Sequence, residues 1–387
     1  MKSVRLGNFI EEHCEKNKKG EDIPVFSVTN TNGFCTEYFS KDVSSKDKSN
    51  YKIVHKGFFA YNPSRINVGS VDWLRNEEKV IVSPLYNVFS VSPELEKQYL
   101  YYFLKSERGK TLIKSKAEGS VRDNLKFSIL ADFPIPLPSI EEQQKFVAKL
   151  DKASELILKY KRLLEYYDSL IKSRFIEMFG DPVQNPMGWE VKKLGKMCSA
   201  IMNGTTPKGG EQVYVENGIT FLRSQNVWRN KIDLDDVAYI DEATHKSMKK
   251  SSLKKYDILM TKTGRINTEN SSLGRAALFL GEDDSANING HVYLIRLEKE
   301  YNHEFVIRIL TSPEYRDYIR SICVGGIDKR QVNKDHIEKF PIIQPPKELQ
   351  DEYSAFVQQI DKSKFTVQKS LEKAETLYKS LMQQYFA

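Results

Sequence analysis

The sequence FPIPLPSIEEQ at residues 133–143 returns in altered form as FPIIQPPKELQ at residues 340–350. The offset is 207 residues (340 − 133), and the alignment that it defines needs no gap. Other residues that share this offset are Gly119 with Gly326, Glu165 with Glu372, and Phe179 with Phe386. A repeat of this length predicts two copies of one structural unit, and duplicated units commonly carry duplicated binding sites.

The end of the quoted stretch predicts the start of a long helix. Ser139 can cap the first turn, and Glu142, three residues later, can bond back to it in a capping box. Beyond this point, apolar residues recur in alternating steps of four and three, which is the period of a coiled-coil seam. The predicted seam positions of this helix are Phe146, Leu150, Ile157, Tyr160, Leu164, Tyr167 and Ile171.

The second copy repeats this helix pattern. Its predicted seam positions are Val357, Ile360, Val367, Leu371, Ala374, Tyr378 and Leu381. One basic residue interrupts each seam, Arg174 in the first helix and Lys364 in the second. If the helices pack antiparallel, we expect these two residues toward opposite ends of the pair, with their side chains reaching solvent. The sustained seam favours a coiled coil over the alternative in which each helix packs on its own domain.

A region of mixed character precedes each long helix. Short apolar runs bounded by Gly, Asn, Pro and Ser predict strands, and the stretches 93–105 and 304–322 predict helices. The predicted strands are 25–28, 58–61, 80–82, 85–91, 219–222, 257–260 and 292–297. The predicted fold class is α+β, with two mixed α/β domains separated by two long helices packed as an antiparallel coiled coil in a pseudo-two-fold arrangement. The predicted segments are 1–138 and 181–345 for the domains, and 139–180 and 346–387 for the helices.

Composition narrows the class of protein. The chain has 387 residues, 40% of them apolar, which is enough to form real cores, and a net charge of +7 that leans toward a polyanionic partner. It has no apolar run of membrane-spanning length and no signal-peptide core at its N-terminus, so we expect a soluble cytoplasmic protein. The cysteines Cys14, Cys35, Cys198 and Cys323 are scattered without CxxC spacing. They predict reduced thiols and no metal site.

Between the repeats, residues 179–189 read FGDPVQNPMGW, in which two prolines and two glycines end the first helix. With this hinge, the two helix starts at 133–143 and 340–350, and the order globule, helix, globule, helix, the chain resembles the specificity subunit of type I restriction–modification systems, the HsdS family. The resemblance spans essentially the whole chain.

The resemblance implies a function for each part. The two globules would be target recognition domains that each read one half of a split target in double-stranded DNA, and the helices would be conserved spacer regions. It also implies two modification subunits, with the S-adenosylmethionine site and adenine-N6 methyltransferase chemistry, and two restriction subunits with motor and nuclease activity. S-adenosylmethionine, ATP and Mg are expected on those partner subunits, and no cofactor is expected on this chain.

No enzyme motif in the sequence is complete. The GKT at residues 109–111 lacks the first glycine of a phosphate loop, because position 104 is Leu104. The NPSR at residues 62–65 lacks the second proline and the aromatic residue of an amino-methyltransferase motif. We therefore predict no catalytic residues. The alternatives are a structural adaptor, or a reader fused to its own methyltransferase or nuclease activity.

Basic and amide residues follow predicted strands in both halves. Arginine can bond both major-groove acceptors of guanine, Asn and Gln can pair with adenine, and Lys, Ser and Thr mostly bind phosphate. For any single residue, a plain solvated loop is the alternative. The predicted DNA contacts are Asn62, Ser64, Arg65, Asn67 and Arg122 in the first half, and Arg223, Gln225, Asn226, Lys262, Thr263, Arg265, Lys329 and Arg330 in the second. The acidic patches 233–236 and 282–284 are expected to face away from phosphate.

Overall fold

The computed structural model of the chain describes residues 3–36, 48–116 and 124–387. The chain divides into two units: unit 1 comprises Met1–Leu163 and Val367–Ala387, and unit 2 comprises Leu164–Thr366. In the described part of the chain, none of the helices combines the length and the apolar character needed to cross a membrane.

Unit 1 combines short strands with helices. Its strands are β1 (Ser3–Arg5), β2 (Ile10–His13), β3 (Ser27–Thr29), β4 (Gly33–Cys35), β5 (Lys52–His55), β6 (Phe59–Tyr61), β7 (Val71–Trp73), β8 (Lys79–Val82), β9 (Asn87–Val91) and β10 (Pro134–Pro136). Its helices are α1 (Lys97–Lys105), α2 (Glu107–Lys116), α3 (Phe127–Ala131) and the start of the long helix α4 (Ile140–Phe179). The main sheet has the order β2-β9-β6-β7, and all its neighbours are antiparallel.

Unit 2 has more strands. They are β11 (Val191–Lys193), β12 (Cys198–Asn203), β13 (Tyr214–Val215), β14 (Ile219–Leu222), β15 (Val227–Trp228), β16 (Lys231–Ile232), β17 (Ala238–Ile240), β18 (Ile258–Thr261), β19 (Thr263–Arg265), β20 (Ala276–Leu278), β21 (Ala286–Ile288), β22 (Val292–Leu297), β23 (Val324–Gly325), β24 (Lys329–Gln331) and β25 (Pro341–Ile343). Its helices are α5 (Glu242–Ser247), α6 (His303–Thr311), α7 (Pro313–Ile322), α8 (Lys334–Glu338) and the start of the long helix α9 (Lys347–Phe386).

The two units share one framework. The main sheet of unit 2 has the order β12-β22-β18-β20, again with antiparallel neighbours, which matches β2-β9-β6-β7 in unit 1. In unit 1 β1 pairs with β10, and the Leu6 amide donates to the carbonyl of Phe133. In unit 2 β11 pairs with β25, and the Leu194 amide donates to the carbonyl of Phe340. The predicted α+β class and the predicted duplication are therefore confirmed.

One inner strand of each main sheet, β6 in unit 1 and β18 in unit 2, is buried on both faces. In β6, Phe59 and Tyr61 pack into one core cluster, whereas Ala60 packs into another. In β18, Met260 and Leu259 divide in the same way between two clusters. A strand that is covered on both sides reads as a continuous apolar run, which explains why these strands show no alternation of apolar and polar residues.

The two long helices are continuous, with 40 residues each. The predicted capping box is present, because the Glu142 amide donates to Ser139 Oγ at 3.3 Å and the Ser139 amide donates to Glu142 Oε2 at 3.2 Å. In unit 1, Phe146 near the start of α4 stacks on Tyr385 near the end of α9, with ring centroids 3.9 Å apart. In unit 2, the hydroxyl of Tyr353 near the start of α9 donates to the Ile171 carbonyl at 3.3 Å. Both contacts confirm the antiparallel pairing.

Every predicted seam position is buried or half-buried. Several further helix residues that were not assigned to the seam are also buried, namely Phe175, Phe179, Tyr353, Met382 and Phe386. Four of these five are aromatic, and they widen the seam near the helix ends, where the helices also contact the domain cores. The energetic role of the individual seam positions stays a prediction.

The expectation for the two basic residues of the seam was correct in part: their side chains are 33% and 27% exposed, but the two residues do not lie toward opposite ends of the pair. Both lie in unit 2, and each is paired with carboxylates rather than extended alone into solvent. Arg174 donates to Glu177 at 3.0 Å and to Glu352 at 2.9 Å. Lys364 donates to Asp168 at 2.5 Å. The antiparallel register brings acidic residues of the facing helix to both positions, so solvent exposure is not needed to satisfy the charge.

The hinge after α4 is held by its own side chains. Gly180 adopts a φ of +74°, a left-handed conformation that glycine adopts without steric cost. The indole Nε1 of Trp189 donates to the Phe179 carbonyl at 3.0 Å. Asn185 accepts from the Trp189 amide at 2.9 Å and donates to its carbonyl at 2.8 Å. The sequence FGDPVQNPMGW therefore ends the helix and fixes the direction in which the chain leaves it.

Candidate nucleic-acid interface

In unit 1 the predicted contacts lie on the loop between β6 and β7, residues 62–70. The Asn62 side chain accepts from the Ser64 amide at 3.0 Å, and its carbonyl accepts from the Arg65 amide at 3.0 Å. Arg65 precedes a short 3-10 helix, Ile66–Val68, that contains Asn67. Ser64, Arg65 and Asn67 are exposed and Asn62 is half-buried. The loop is thus tightly turned, with most of its polar side chains at the surface.

This loop borders an open groove. The groove has a volume of about 450 Å³, and Asn62 and Arg65 line it together with the β3–β4 hairpin and Tyr86. Two of the predicted residues therefore share one concave surface of unit 1. Arg122, the remaining prediction for this half, lies outside the described residues.

In unit 2 the structure brings two predicted sets of residues together. Strand β24 pairs with β19 on one side and β23 on the other, and we call these three strands the basic sheet. Its register places Arg265 opposite Lys329, and Gly264 opposite Arg330. Residues about 65 positions apart in the sequence thus form a single basic surface.

The basic side chains of the basic sheet differ in their hydrogen-bond and ion-pair partners. Arg265 Nε lies 3.2 Å from Asp328 Oδ2, in a pair whose side chains are 68% and 55% exposed. Such an exposed pair is weak and can exchange for another anion. Arg330 Nε donates to the Gly326 carbonyl at 3.3 Å, and Lys329 is exposed. These three basic residues therefore remain at the surface of unit 2.

The start of the loop after β18 is held more firmly. The Lys262 amide donates to the His291 carbonyl, and the Val332 amide donates to the Lys262 carbonyl, both at 2.9 Å. The Lys262 ammonium lies 5.6 Å from the ring centroid of Tyr293. Lys262 and Thr263 are half-buried. Lys262 thus has a fixed backbone and a side chain that lies against an aromatic ring.

Gly264 allows a close approach inside the basic sheet. A Cβ at this position would lie 2.3 Å from the Leu273 amide nitrogen, which is closer than any real Cβ contact. Only glycine lets β19 lie so near the segment 271–273.

Three predicted contacts in unit 2 have structural partners instead. Asn226 is 2% exposed, and its amide donates to the carbonyls of Asp233 and Asp236 at 2.9 and 2.8 Å. Arg223 donates to Asp236 Oδ1 at 3.1 Å, and Gln225 donates to Asp236 Oδ2 at 2.6 Å. These contacts give all three residues structural roles, and the burial of Asn226 argues against a base contact there; DNA contacts at these positions stay predictions. The acidic patch 233–236 lies against these residues, and the expectation that it faces away from phosphate stays a prediction.

Four arginines that the sequence analysis did not single out lie near one another, and three of them bond to residues 268–271. Arg320 Nη2 donates to the Thr268 carbonyl at 3.2 Å, and Arg229 Nη2 donates to the Glu269 carbonyl at 3.4 Å. These backbone acceptors are neutral, so the hydrogen bonds position the segment without cancelling the arginine charges.

The other two arginines are Arg275 and Arg316. Arg275 is 8% exposed, donates to the Ser271 carbonyl at 2.9 Å, and lies 3.9 Å from the ring centroid of Trp228. Arg316 Nε is buried and has no hydrogen-bond partner among the described residues. We call Arg229, Arg275, Arg316 and Arg320 the arginine cluster.

The described residues do not bring three or more His, Cys, Asp or Glu side chains together as a possible metal site. The candidate surfaces offer hydrogen-bond donors and positive charge, which suits recognition of a polyanion.

Comparison with known families agrees with this chemistry. A family model described as the type I restriction modification DNA specificity domain matches residues 4–165 and 186–375. The two matched segments correspond to the two halves of the internal repeat, and together they cover most of the chain. The resemblance inferred from the sequence is confirmed.

Named relatives are specificity subunits. The chain is 29% identical over 183 residues to the type I restriction enzyme MjaIX specificity subunit of Methanocaldococcus jannaschii, covering 43% of this chain and 42% of that protein. It is 24% identical over 306 residues to the type I restriction enzyme StySPI specificity subunit of Salmonella potsdam, covering 75% of this chain and 64% of that protein. The chain thus spans between 42% and 64% of the length of these curated relatives.

A solved structure shares the fold. The crystal structure of the S subunit of a type I restriction–modification system from M. genitalium superposes with a TM-score of 0.61 at 14% sequence identity, covering 100% of this chain and 96% of that one. At this identity the likeness concerns the fold. Taken with the family match over both repeats, it leads to one assignment: the chain belongs to the family of type I restriction modification DNA specificity domains.

Proposed function

We propose that the chain is the DNA specificity subunit of a type I restriction–modification system and has no catalytic activity of its own. It reads a bipartite target in double-stranded DNA, with one half-site for each repeat. The observation that carries this proposal is the duplicated framework, which presents different polar loops at equivalent positions. The names of the relatives support it, since both are specificity subunits of type I restriction enzymes.

The reading loops follow equivalent strands. In unit 1 the Leu125 amide donates to the Pro63 carbonyl at 3.1 Å, and in unit 2 the Val332 amide donates to the Lys262 carbonyl at 2.9 Å. The loops after β6 and β18 therefore start from the same point of the framework. We propose residues 1–138 and 181–345 as the two target recognition domains, with Arg65 and Arg265 as the leading candidates for base contacts.

The long helices serve as conserved spacer regions, residues 139–180 and 346–387. A helix of 40 residues at 1.5 Å per residue is about 60 Å long. That length suits half-sites with centres about one DNA turn, or about 10 base pairs, apart. Insertion of matched heptads in both helices should lengthen the unspecified spacer of the target and leave both half-sites unchanged. A spacer that stayed fixed would rule out this role of the helices.

The chain is proposed to act within a larger complex. Its partners are two modification subunits, which carry S-adenosylmethionine and adenine-N6 methyltransferase activity, and two restriction subunits, which use ATP and Mg. The test is to assemble the chain with its modification subunits and map methylated adenines on genomic DNA. We expect a single bipartite sequence. Methyl transfer or cleavage by the purified chain alone would favour an enzyme, and a complex without sequence preference would favour an adaptor.

A domain exchange tests the division of labour. Replacement of residues 1–138 by the counterpart from a relative should change one half of the methylated sequence and leave the other half unchanged. Distant sites without shared partners behave nearly additively, which is why the halves should be independent. A change in both halves would mean that the two repeats form one composite reading surface.

A further inference from the structure

The arginine cluster of unit 2 carries positive charge that nearby carboxylates do not balance. Asp317 lies 3.4 Å from Arg320 and 4.0 Å from Arg316, but its side chain is 70% exposed. Arg229 and Arg275 form no ion pair with a carboxylate in the described part of the chain, and donate to backbone carbonyls instead. Asp317 therefore lies near two of the four guanidinium groups, and the carboxylate of Glu269 acts on Arg229 only through its charge.

The electrostatics of the cluster are unfavourable in the absence of an anion. Burial lowers the pKa of the Arg229 guanidinium, and the charges of Arg316, Arg275 and Arg320 lower it further, by more than the charge of Glu269 raises it. Burial also lowers the pKa of Arg275. Like charges held together in this way cost folding free energy, and an anion that binds among them removes that cost.

The cluster borders a cavity that an anion could enter. The cavity has a volume of about 440 Å³, and its lining includes Arg229, Arg275 and Lys231 beside the indole of Trp228. Its acidic lining residue, Asp233, lies 3.9 Å from Lys231. Arg229 and Lys231 are both exposed, so these two cations are accessible from solvent.

The cluster is also continuous with the basic sheet. The hydroxyl of Thr268 lies 3.5 Å from the Arg265 carbonyl, and the Thr268 carbonyl accepts from Arg320. The segment that the arginines hold therefore follows directly on the strand that carries Arg265. A polyanion bound on the basic sheet would have a second cationic surface within a few residues of it.

We propose that the arginine cluster binds backbone phosphate of the DNA duplex beside the second half-site, and supplies affinity without reading bases. Each guanidinium has five N–H donors, of which the contacts with residues 268–271 use one in Arg229 and in Arg320 and two in Arg275. The remaining donors suit phosphate oxygens, which accept from arginine in a bidentate geometry. This inference rests on the proposed function, since it takes DNA as the polyanion.

The test uses the complex assembled from the full chain and its modification subunits. Arg229→Gln removes one exposed charge of the cluster, and Arg229→Lys keeps that charge. The control, Lys246→Gln, removes a charge from a surface pair with Glu242 elsewhere in unit 2. Binding to the cognate duplex and to an unrelated duplex is measured over a range of salt concentrations. Arg229→Gln should weaken binding to both duplexes by the same factor, roughly fivefold near 0.15 M salt. It should also reduce the salt slope, the slope of log binding constant against log salt concentration, by about 0.9 in magnitude. Arg229→Lys should restore most of the slope, and Lys246→Gln should leave it unchanged.

Two results would overturn the inference. An unchanged salt slope in Arg229→Gln would mean that the cluster does not contact phosphate. A loss confined to the cognate duplex, or a changed methylated sequence, would mean that Arg229 reads bases. Failure of the proposed function can be told apart from failure of this inference. If the proposed function is wrong, the wild-type complex itself has no sequence preference, and this is seen before any variant is made.

Discussion

The loops after β6 and β18 begin at the same point of the shared framework and then differ. The loop of unit 1, residues 62–70, turns back through a short 3-10 helix and borders a groove. The connection in unit 2, residues 262–275, is longer and contains β19, which pairs with β24 in the basic sheet. The framework and the segments it presents are thus separable, which is what two independent readers of different half-sites require.

The same residue types are used differently in the two units. In unit 1, Arg75 donates to the buried carboxylate of Asp72 at 2.8 Å and lies 4.4 Å from the ring centroid of Trp73. In unit 2, Arg275 lies beside Trp228, but it donates to the carbonyls of Ser271 and Asn270. A guanidinium on an indole is therefore neutralised in unit 1 and remains a net positive charge in unit 2. We expect the second unit to contribute more of the salt dependence of DNA binding.

The largest effect is expected from the helix pair that both units share. Leu371→Asp puts a carboxylate at a position that is 6% exposed, and should lower the free energy of unfolding by about 3–5 kcal/mol. Thermal unfolding measures the loss of stability, and assembly with the modification subunits measures its consequence for the complex. The matched control is Leu377→Asp on the same helix, where the side chain is 52% exposed, and it should change stability by less than about 0.5 kcal/mol. An active complex containing Leu371→Asp would contradict the prediction that Leu371 stabilises the pairing of the two helices.

A backbone change should affect unit 2 alone. Gly264→Ala places a Cβ 2.3 Å from the Leu273 amide nitrogen, so β19 must move, at a cost of about 1–3 kcal/mol. We expect weaker discrimination at one half-site and normal discrimination at the other, measured with duplexes substituted in either half. Gly326→Ala is the control, because the nearest atom to its Cβ is 3.9 Å away. Equal losses at both half-sites would show that the reading surfaces are coupled.

Substitution of one arginine in each loop compares the two readers directly. Arg65→Ala and Arg265→Ala should each cost about 1–3 kcal/mol of binding free energy at one half-site if the arginine bonds a base. The double variant should lose the sum of the two, since the sites share no partner. Competition between duplexes with altered half-sites measures these energies. If both variants relax the same half-site, the assignment of one loop to each half is wrong.

The helices and the repeat were predictable because their signals are local or periodic. The capping box lies within four residues, and the seam recurs over several heptads. The surface of unit 2 was less predictable, because the pairing of Arg265 with Lys329 joins distant parts of the chain, and strands of two residues such as β15 and β16 are too short to show a period. The burial of Asn226 was not predictable, because the fold that brings the carbonyls of Asp233 and Asp236 to its amide is not visible in the sequence. The spacing of Arg316 and Arg320, four residues apart on α7, was the available signal for the arginine cluster.

The smallest effect is expected at the first residue of the unit 2 loop. Lys262 has a fixed backbone, and its ammonium lies 5.6 Å from the ring centroid of Tyr293, whereas the equivalent position of unit 1 is Pro63, which has no charge to offer. Lys262→Ala should therefore remove one phosphate contact that only the second half-site has. We expect binding to the cognate and the unrelated duplex to weaken by the same factor, with a salt slope smaller by about 0.9. Lys246→Ala, in an exposed pair with Glu242, serves as the control. A loss restricted to the cognate duplex would instead make Lys262 a base-reading residue, and the contrast with Pro63 would then be one of specificity as well as charge.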